Sequence, residues 1–270
     1  MDDARQQLIR ETFDAVADGY DRHALRFFHD GAVHMATSLR LRGDEEVLDV
    51  ACGTGHASLA LARQLPRGRV TAVDFAPAML AQARHKARAA GLPNLDLVER
   101  DMQALDWRDK FDVAVCAFGI FFVEDMNAQL RRIAATVKPG GRVLISNFAE
   151  TYMQPLRSLM LARLARFSVP SGPQTWLRIA EPGACRELFA SAGLCAIEVE
   201  EQNLGYFLAG ADEWWQVIWN AGFRRLVARL SLPDQASFKA QHLAEVEALR
   251  TSDGIWMDVP VLFTVGRKPA

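Results

Sequence analysis

A doubly wound α/β sheet, mostly parallel, is the fold class this sequence predicts, and three observations predict it. Short apolar strands alternate with helical stretches from Glu46 to Ser146. A tight turn carrying Gly53 and Gly55 joins the first strand to the helix after it. The second strand ends in an acid, Asp74, about 20 residues beyond that turn.

Each element has its own signal. Residues 3 to 17 put Leu8, Ile9, Phe13 and Val16 on one side of a helix that ends in Tyr20-Asp21. A second helix is expected over Gly31 to Leu41. Val47 to Val50 form an apolar, β-branched run, hence a strand. His56 to Leu65 repeat Leu59, Leu61, Ala62 and Leu65 at helical spacing, and Pro66 ends the helix. In the turn between them, Gly53 and Gly55 lack Cβ, so they take positive φ and let a ligand lie on bare backbone. The helix that follows directs free N–H groups at the same place.

Arg69 to Asp74 make the second strand, and a carboxylate at its end accepts both hydroxyls of a ribose. Pro77 opens the next helix. Asn94 to Val98 form the third strand, followed by Asp101 and Met102. Phe111 to Phe118 are almost continuously apolar, as a central parallel strand requires. A helix over Gln129 to Val137 stops at Lys138-Pro139-Gly140-Gly141, and Arg142 to Ser146 are the fifth strand.

Beyond residue 147 the pattern loosens. Leu156 to Phe167 read as an amphipathic helix with Arg157, Arg163 and Arg166 on its wet face. A short helix over 183 to 193 precedes a strand over Leu194 to Glu200. Asp212 is expected to cap a helix whose stripe is Trp215, Ile218, Trp219, Phe223 and Leu226. A helix over 234 to 249 and a strand over Val259 to Gly266 close the chain, with Pro260 near the strand start.

Composition narrows the function classes. Half of the 270 residues are hydrophobic, 24% are charged and the net charge is −2, so there is no basic field for nucleic acid. The acidic start, Asp2-Asp3, is no signal peptide, and no run is apolar enough to span a membrane. Cys52, Cys116, Cys185 and Cys195 lack metal-type spacing and read as reduced thiols of a cytoplasmic protein, with no metal.

A dinucleotide fingerprint wants a third glycine three residues after Gly55, and Ser58 stands there. Asp49 before the turn, with glycines at alternate positions after Ala51, resembles motif I of the class I S-adenosylmethionine-dependent methyltransferases. The type most resembled is that of the ubiquinone- and menaquinone-biosynthesis enzymes. The pattern's first glycine is Ala51 here. The resemblance covers residues 10 to 148, and the Pro-Gly-Gly before the fifth strand belongs to it.

It implies S-adenosyl-L-methionine as cofactor, in a turn of Asp49, Ala51, Cys52, Gly53, Thr54 and Gly55. It places Asp74 on the ribose, Phe75 and Met79 on the adenine, Asp101 at the adenine amino group and Met102 against the ring. Cys116, Phe118 and Phe121 would line the site from the fourth strand, and Tyr20 would lie over the cofactor. The histidines common in such enzymes at the places of Phe121 and Phe122 are absent. So is the Asn/Asp-Pro-Pro-aromatic motif of nucleobase methylation, replaced by Cys116-Ala117-Phe118-Gly119. The last strand suits the antiparallel seventh strand of the Rossmann-like methyltransferase sheet.

The whole is expected to be one domain. Residues 1–42 form a helical cap and 43–148 the cofactor-binding core. Residues 149–230 form a lid with the sixth strand, and 231–270 the last helix and strand. The expected reaction is methyl transfer to a nucleophilic atom of a small, mainly apolar or aromatic molecule. Tyr20, Phe118, Phe121, Tyr152, Trp176, Tyr206, Trp215 and Trp219 lie in segments expected over the strand ends. A sulfonium methyl is already activated, so no general base is required. His23, His29 and His34 lie in the cap region, each read as structural or exposed.

Two alternatives share the turn and Asp74. One is an NAD-dependent reductase, opposed by Ser58 and by the absence of a Tyr-x-x-x-Lys pair. The other is a non-catalytic adenosine-cofactor-binding protein. The acceptor atom and the oligomeric state stay open, a homodimer among the options.

Overall fold

Seven strands form the main sheet in the computed structural model, which describes residues 2–270. They are β1 (Glu46–Val50), β2 (Arg69–Asp74), β3 (Leu95–Glu99), β4 (Phe111–Ala117), β5 (Val137–Phe148), β6 (Cys195–Asn203) and β9 (Pro260–Arg267). The order is β3-β2-β1-β4-β5-β9-β6. β1 runs parallel to β2 and β4, β2 to β3 and β4 to β5, while β9 is antiparallel to β5. This is the doubly wound, mostly parallel, seven-stranded sheet expected, with the last strand inserted before the sixth. Two three-residue strands, β7 (Tyr206–Leu208) and β8 (Ile255–Met257), pair separately.

The chain packs as two compact units. The sheet unit holds residues 28–150, 175–202 and 261–270, and the cap unit holds 1–27, 151–174 and 203–260. The helices are α1 (Asp2–Val16), α2 (Phe27–Ser38), α3 (His56–Ala62), α4 (Pro77–Ala89) and α5 (Met126–Thr136). They continue as α6 (Leu156–Arg166), α7 (Pro182–Ser191), α8 (Ala211–Trp219), α9 (Arg224–Val227) and α10 (Leu232–Glu247).

The sheet core is the apolar run of the central strands, where Val47, Leu48 and Val50 of β1 and Ala114, Val115 and Cys116 of β4 have no exposed surface. Buried strands with helices on their faces read as continuous apolar runs. Pro260, which has no N–H, is the first residue of β9, where the ladder does not need it.

Several elements depart from the sequence reading, each for a local reason. α2 starts at Phe27, four residues before Gly31. α3 stops at Ala62, because the Gln64 and Leu65 N–H groups reach back only three residues, to the Leu61 and Ala62 carbonyls, and Asn94 takes the Ala62 and Leu65 carbonyls. Lys138 to Gly141 are not a free connection. β5 begins at Val137, which pairs with Phe111 before the register shifts to Val113 and Arg142. Gly140 (φ +78) and Gly141 are tied there to Lys268 by backbone bonds. Asp212 lies in the first turn of α8, and Gly210 stands at the cap position. The expected aromatic stripe is broken at Asn220 to Phe223, so the buried indole is Trp214 rather than Trp215.

The wet face assigned to α6 is also corrected. Arg157 is only 7% exposed, and Arg163 pairs with Glu245 of α10. Arg166 alone of the three is exposed. No described helix is long and apolar enough to cross a membrane.

Candidate cofactor site

Parallel strands deliver their loops to one edge, and order reverses where β1 lies between β2 and β4. Ligands of such sheets bind at that switch point, beyond the carboxyl ends of the strands. The turn after β1 is shaped there largely by backbone. The Cys52 N–H donates to the Val73 carbonyl (3.0 Å) and the Gly55 N–H to the Cys52 carbonyl (2.8 Å). Ala51 (φ +57), Gly53 (φ +55) and Gly55 (φ +84) all occupy the left-handed region. A Cβ on Gly53 would meet nothing within 4 Å, whereas one on Gly55 would press on Ala83 and Leu59 at about 3 Å. Gly55 therefore seats α3 against α4, and Gly53 turns bare backbone to open space.

Asp74, at the end of β2, binds this turn directly. Its carboxylate accepts the Gly53 N–H (2.7 Å) and the Ala76 N–H (2.9 Å). A carboxylate only accepts hydrogen bonds, which is the chemistry that a pair of ribose hydroxyl donors needs. The backbone carbonyl of Asp74 accepts the Arg100 N–H, which brings Asp101 to the same edge. The Asp101 side chain accepts the Gln103 N–H (2.7 Å), and the Met102 carbonyl accepts Gln129 (2.8 Å).

Asp49 is wholly buried beneath the turn. The Ser58 hydroxyl donates to its Oδ2 at 2.5 Å, while Oδ1 has no hydrogen-bond partner among the described residues. Burial pushes the Asp49 carboxyl up to about 7, opposed by the Ser58 hydrogen bond and reinforced by Asp74. Ser58 was noted in the sequence only as a missing glycine; it is the partner of the motif's acid. Burial, then the neighbouring acids, also raises the thiols of Cys52 and Cys116, the latter to about 12, so neither serves as a thiolate.

The end of β4 supplies an aromatic wall. Phe118 (φ +53) stacks on Phe148 at 4.6 Å and meets Phe28 edge-on at 5.4 Å. Phe121 and Trp176 approach Phe148 at 6.3 and 6.4 Å. Arg178 fixes the segment by donating to the Phe121, Val123 and Glu124 carbonyls. Phe148 and Phe28 were not singled out in the sequence. Phe148 is the last residue of β5 beside β4, a position readable only once the fifth strand's end is known.

Asp49, Ala51 to Gly55, Asp74, Phe75, Asp101, Met102, Cys116, Phe118 and Phe121 thus lie along one sheet edge. Phe75 is half-buried, and Met79 is buried in the first turn of α4. Tyr20 belongs to the cap unit, at the end of the 3-10 turn Ala17–Gly19 and edge-on to Phe13. The expected aromatics of α8 sit elsewhere in that unit. Trp215 and Trp219 stack on each other at 5.7 Å, with Lys239 over one ring and Arg224 over the other. Among the described residues no metal-binding cluster occurs.

An acid-bound glycine turn, an open backbone face and a ribose-type carboxylate fit S-adenosylmethionine. Comparison with known proteins decides between this and the alternatives. Residues 47–141 match the methyltransferase-domain family, from β1 to the start of β5. A demethylmenaquinone methyltransferase of Bacillus cytotoxicus is 27% identical over 76% of this chain and 94% of its own length. The chain carries a methyltransferase domain and is an S-adenosylmethionine-dependent methyltransferase.

Solved structures share its fold. YcgJ of Bacillus subtilis superposes with a TM-score of 0.61 at 20% identity, covering 89% of this chain and 99% of the other. A phosphoethanolamine N-methyltransferase of Haemonchus contortus, solved with S-adenosylhomocysteine, gives 0.57 at 15% identity, covering 94% and 60%. At the place of the dinucleotide motif's third glycine this chain has Ser58, whose hydroxyl donates to Asp49.

Proposed function

We propose that this methyltransferase holds S-adenosylmethionine along Asp49, the Ala51–Gly55 turn, Asp74 and Asp101. Its acceptor is a mainly apolar, aromatic small molecule set against the Phe118–Phe148 wall. The observation that carries the first part is Asp74, whose carboxylate accepts the Gly53 N–H and so stands at the end of β2 directly beside the glycine turn, an acceptor suited to ribose hydroxyls. The wall carries the second, because planar aromatic faces exclude water and orient a flat acceptor. The cofactor supplies an electrophilic methyl on a sulfonium. The protein's task is then to position and desolvate the nucleophile.

The Bacillus cytotoxicus relative's name makes demethylmenaquinone the first acceptor to assay. A cytoplasmic location is supported by four free thiols. Light scattering of the purified chain tests a homodimer.

Replacing Asp74 by Ala should weaken S-adenosylmethionine binding by about 1–3 kcal/mol, as lost charged hydrogen bonds do. Circular dichroism should show an intact fold. Unchanged affinity, or an unfolded variant, would refute this role. Phe148→Ala should raise KM for the acceptor more than for the cofactor; an equal rise in both would remove the wall from the acceptor site.

A further inference from the structure

Buried carboxyls are tolerated when a cation or several donors compensate them. Asp49 has neither in full. It has no exposed surface, one oxygen is held by Ser58, and the other is unpartnered among the described residues. The titratable group acting on it is Asp74 from β2, and Asp49 in turn raises the thiols of Cys52 in the turn and Cys116 of β4; none of the three is basic. Two acids so close, one fully dehydrated, do not both ionise readily. The missing ingredient is a positive charge above the turn, where Gly53 leaves its backbone open.

We propose that the Asp49–Ser58 pair makes cofactor binding proton-linked. Asp49 keeps its proton while no cation faces it and yields that proton to solvent when the positively charged S-adenosylmethionine enters. The demethylated product, whose thioether is uncharged, leaves the proton in place. The charge balances, since the site gains one negative charge to meet the sulfonium and one proton leaves the Asp49 O–H. The pair thereby favours the charged donor over the neutral product by an amount set by pH. Ser58 acts as a positioning residue, since its hydroxyl stabilises the ionised carboxylate. The inference rests on the cofactor lying on this turn.

Calorimetry in buffers of different ionisation enthalpy counts the protons released on binding. The parent protein at pH 7 should release about half a proton per site with S-adenosylmethionine, since the Asp49 carboxyl lies at about 7. It should release much less with S-adenosylhomocysteine. Below pH 7, affinity for the charged cofactor should fall by up to about tenfold per pH unit. Asp49→Asn, which cannot ionise, gives the baseline from the ligand's own amino group and should abolish the difference. Ser58→Ala should move the release toward higher pH.

Equal release for the two ligands in the parent protein would overturn the proposal without any variant. So would undiminished release in Asp49→Asn. If instead Asp74→Ala leaves S-adenosylmethionine affinity unchanged, it is the placement of the cofactor on the turn that fails.

Discussion

In the sheet unit, the contacts that shape the functional turn run mostly through backbone. Cys52 bonds to Val73, Gly55 to Cys52 and Gly53 to Asp74, and seven strands fix what lies beneath. In the cap unit, the comparable contacts run through side chains. Arg26 lies over the Tyr206 ring at 3.4 Å and pairs with Glu213 at 3.0 Å, and the Tyr206 hydroxyl donates to the Ala24 carbonyl at 2.7 Å. Trp214 donates to His242 at 2.8 Å, His242 faces Glu245, and Glu245 holds Arg163. Backbone bonds do not depend on residue identity, whereas side-chain networks do.

The largest effect should come from removing the cap unit's central side chain. Trp214 has no exposed surface, so Trp214→Ala should lower stability by about 3–5 kcal/mol. Denaturant unfolding followed by cap-unit hydrogen exchange should show this loss, with S-adenosylmethionine binding largely retained. Loss of cofactor binding in step with cap stability would break the comparison.

The two units should also respond to acid in opposite senses. Burial lowers the His242 imidazole from its ordinary value to about 4. Its neutral form accepts from Trp214, so this support is complete above the unfolded value near 6.5 and is lost as pH falls toward 4. The loss should be about 3 kcal/mol. His242→Gln should flatten the acid limb of the stability curve. Asp49 runs the other way. Its raised folded-state value means its contribution is complete below about 4 and declines as pH rises through about 7. An Asp49→Asn protein whose stability still falls over that range would contradict this.

A smaller effect is expected from Tyr206→Phe. It keeps the ring under Arg26 but leaves the buried Ala24 carbonyl unbonded, at about 1 kcal/mol. The smallest belongs to the sheet unit. Ala51→Gly relieves the positive φ at the place where the family pattern has glycine, gaining up to about 1 kcal/mol. A melting temperature higher by about 2–4 °C would show it. Gly119→Ala alone should destabilise, because its Cβ would lie 2.8 Å from that of Ala51. The double variant should recover part of the loss, a coupling expected only of touching residues.

Contiguous stretches of this chain were informative by themselves. Strand β2 was legible to the residue, because a small and β-branched run, Val70 to Val73, lies between Arg69 and the acid Asp74. The order Asp49, Gly53, Gly55, Asp74 marked the sheet edge proposed to hold the cofactor, since steric freedom at glycine and charge on carboxylate are properties of the residue itself. Where an element's limits depend on a partner, the sequence alone did not determine them. β5 begins at Val137 because Phe111 and Lys268 lie beside it, and α3 ends at Ala62 because Asn94 takes its carbonyls.

The residues of the cap unit were still harder to rank. Three separated segments build it, so helical spacing named Trp215 and Trp219 while tertiary packing buried Trp214 and Arg157. Ser58 and Phe148 follow the same logic. A hydroxyl nine residues after an acid, or a phenylalanine closing a strand, acquires a role only from what the fold sets against it. Local chemistry fixed the sheet and the turn, because their constraints lie within a few bonds of the chain. Packing chose the partners, because burial and hydrogen bonding are relations between residues distant in sequence.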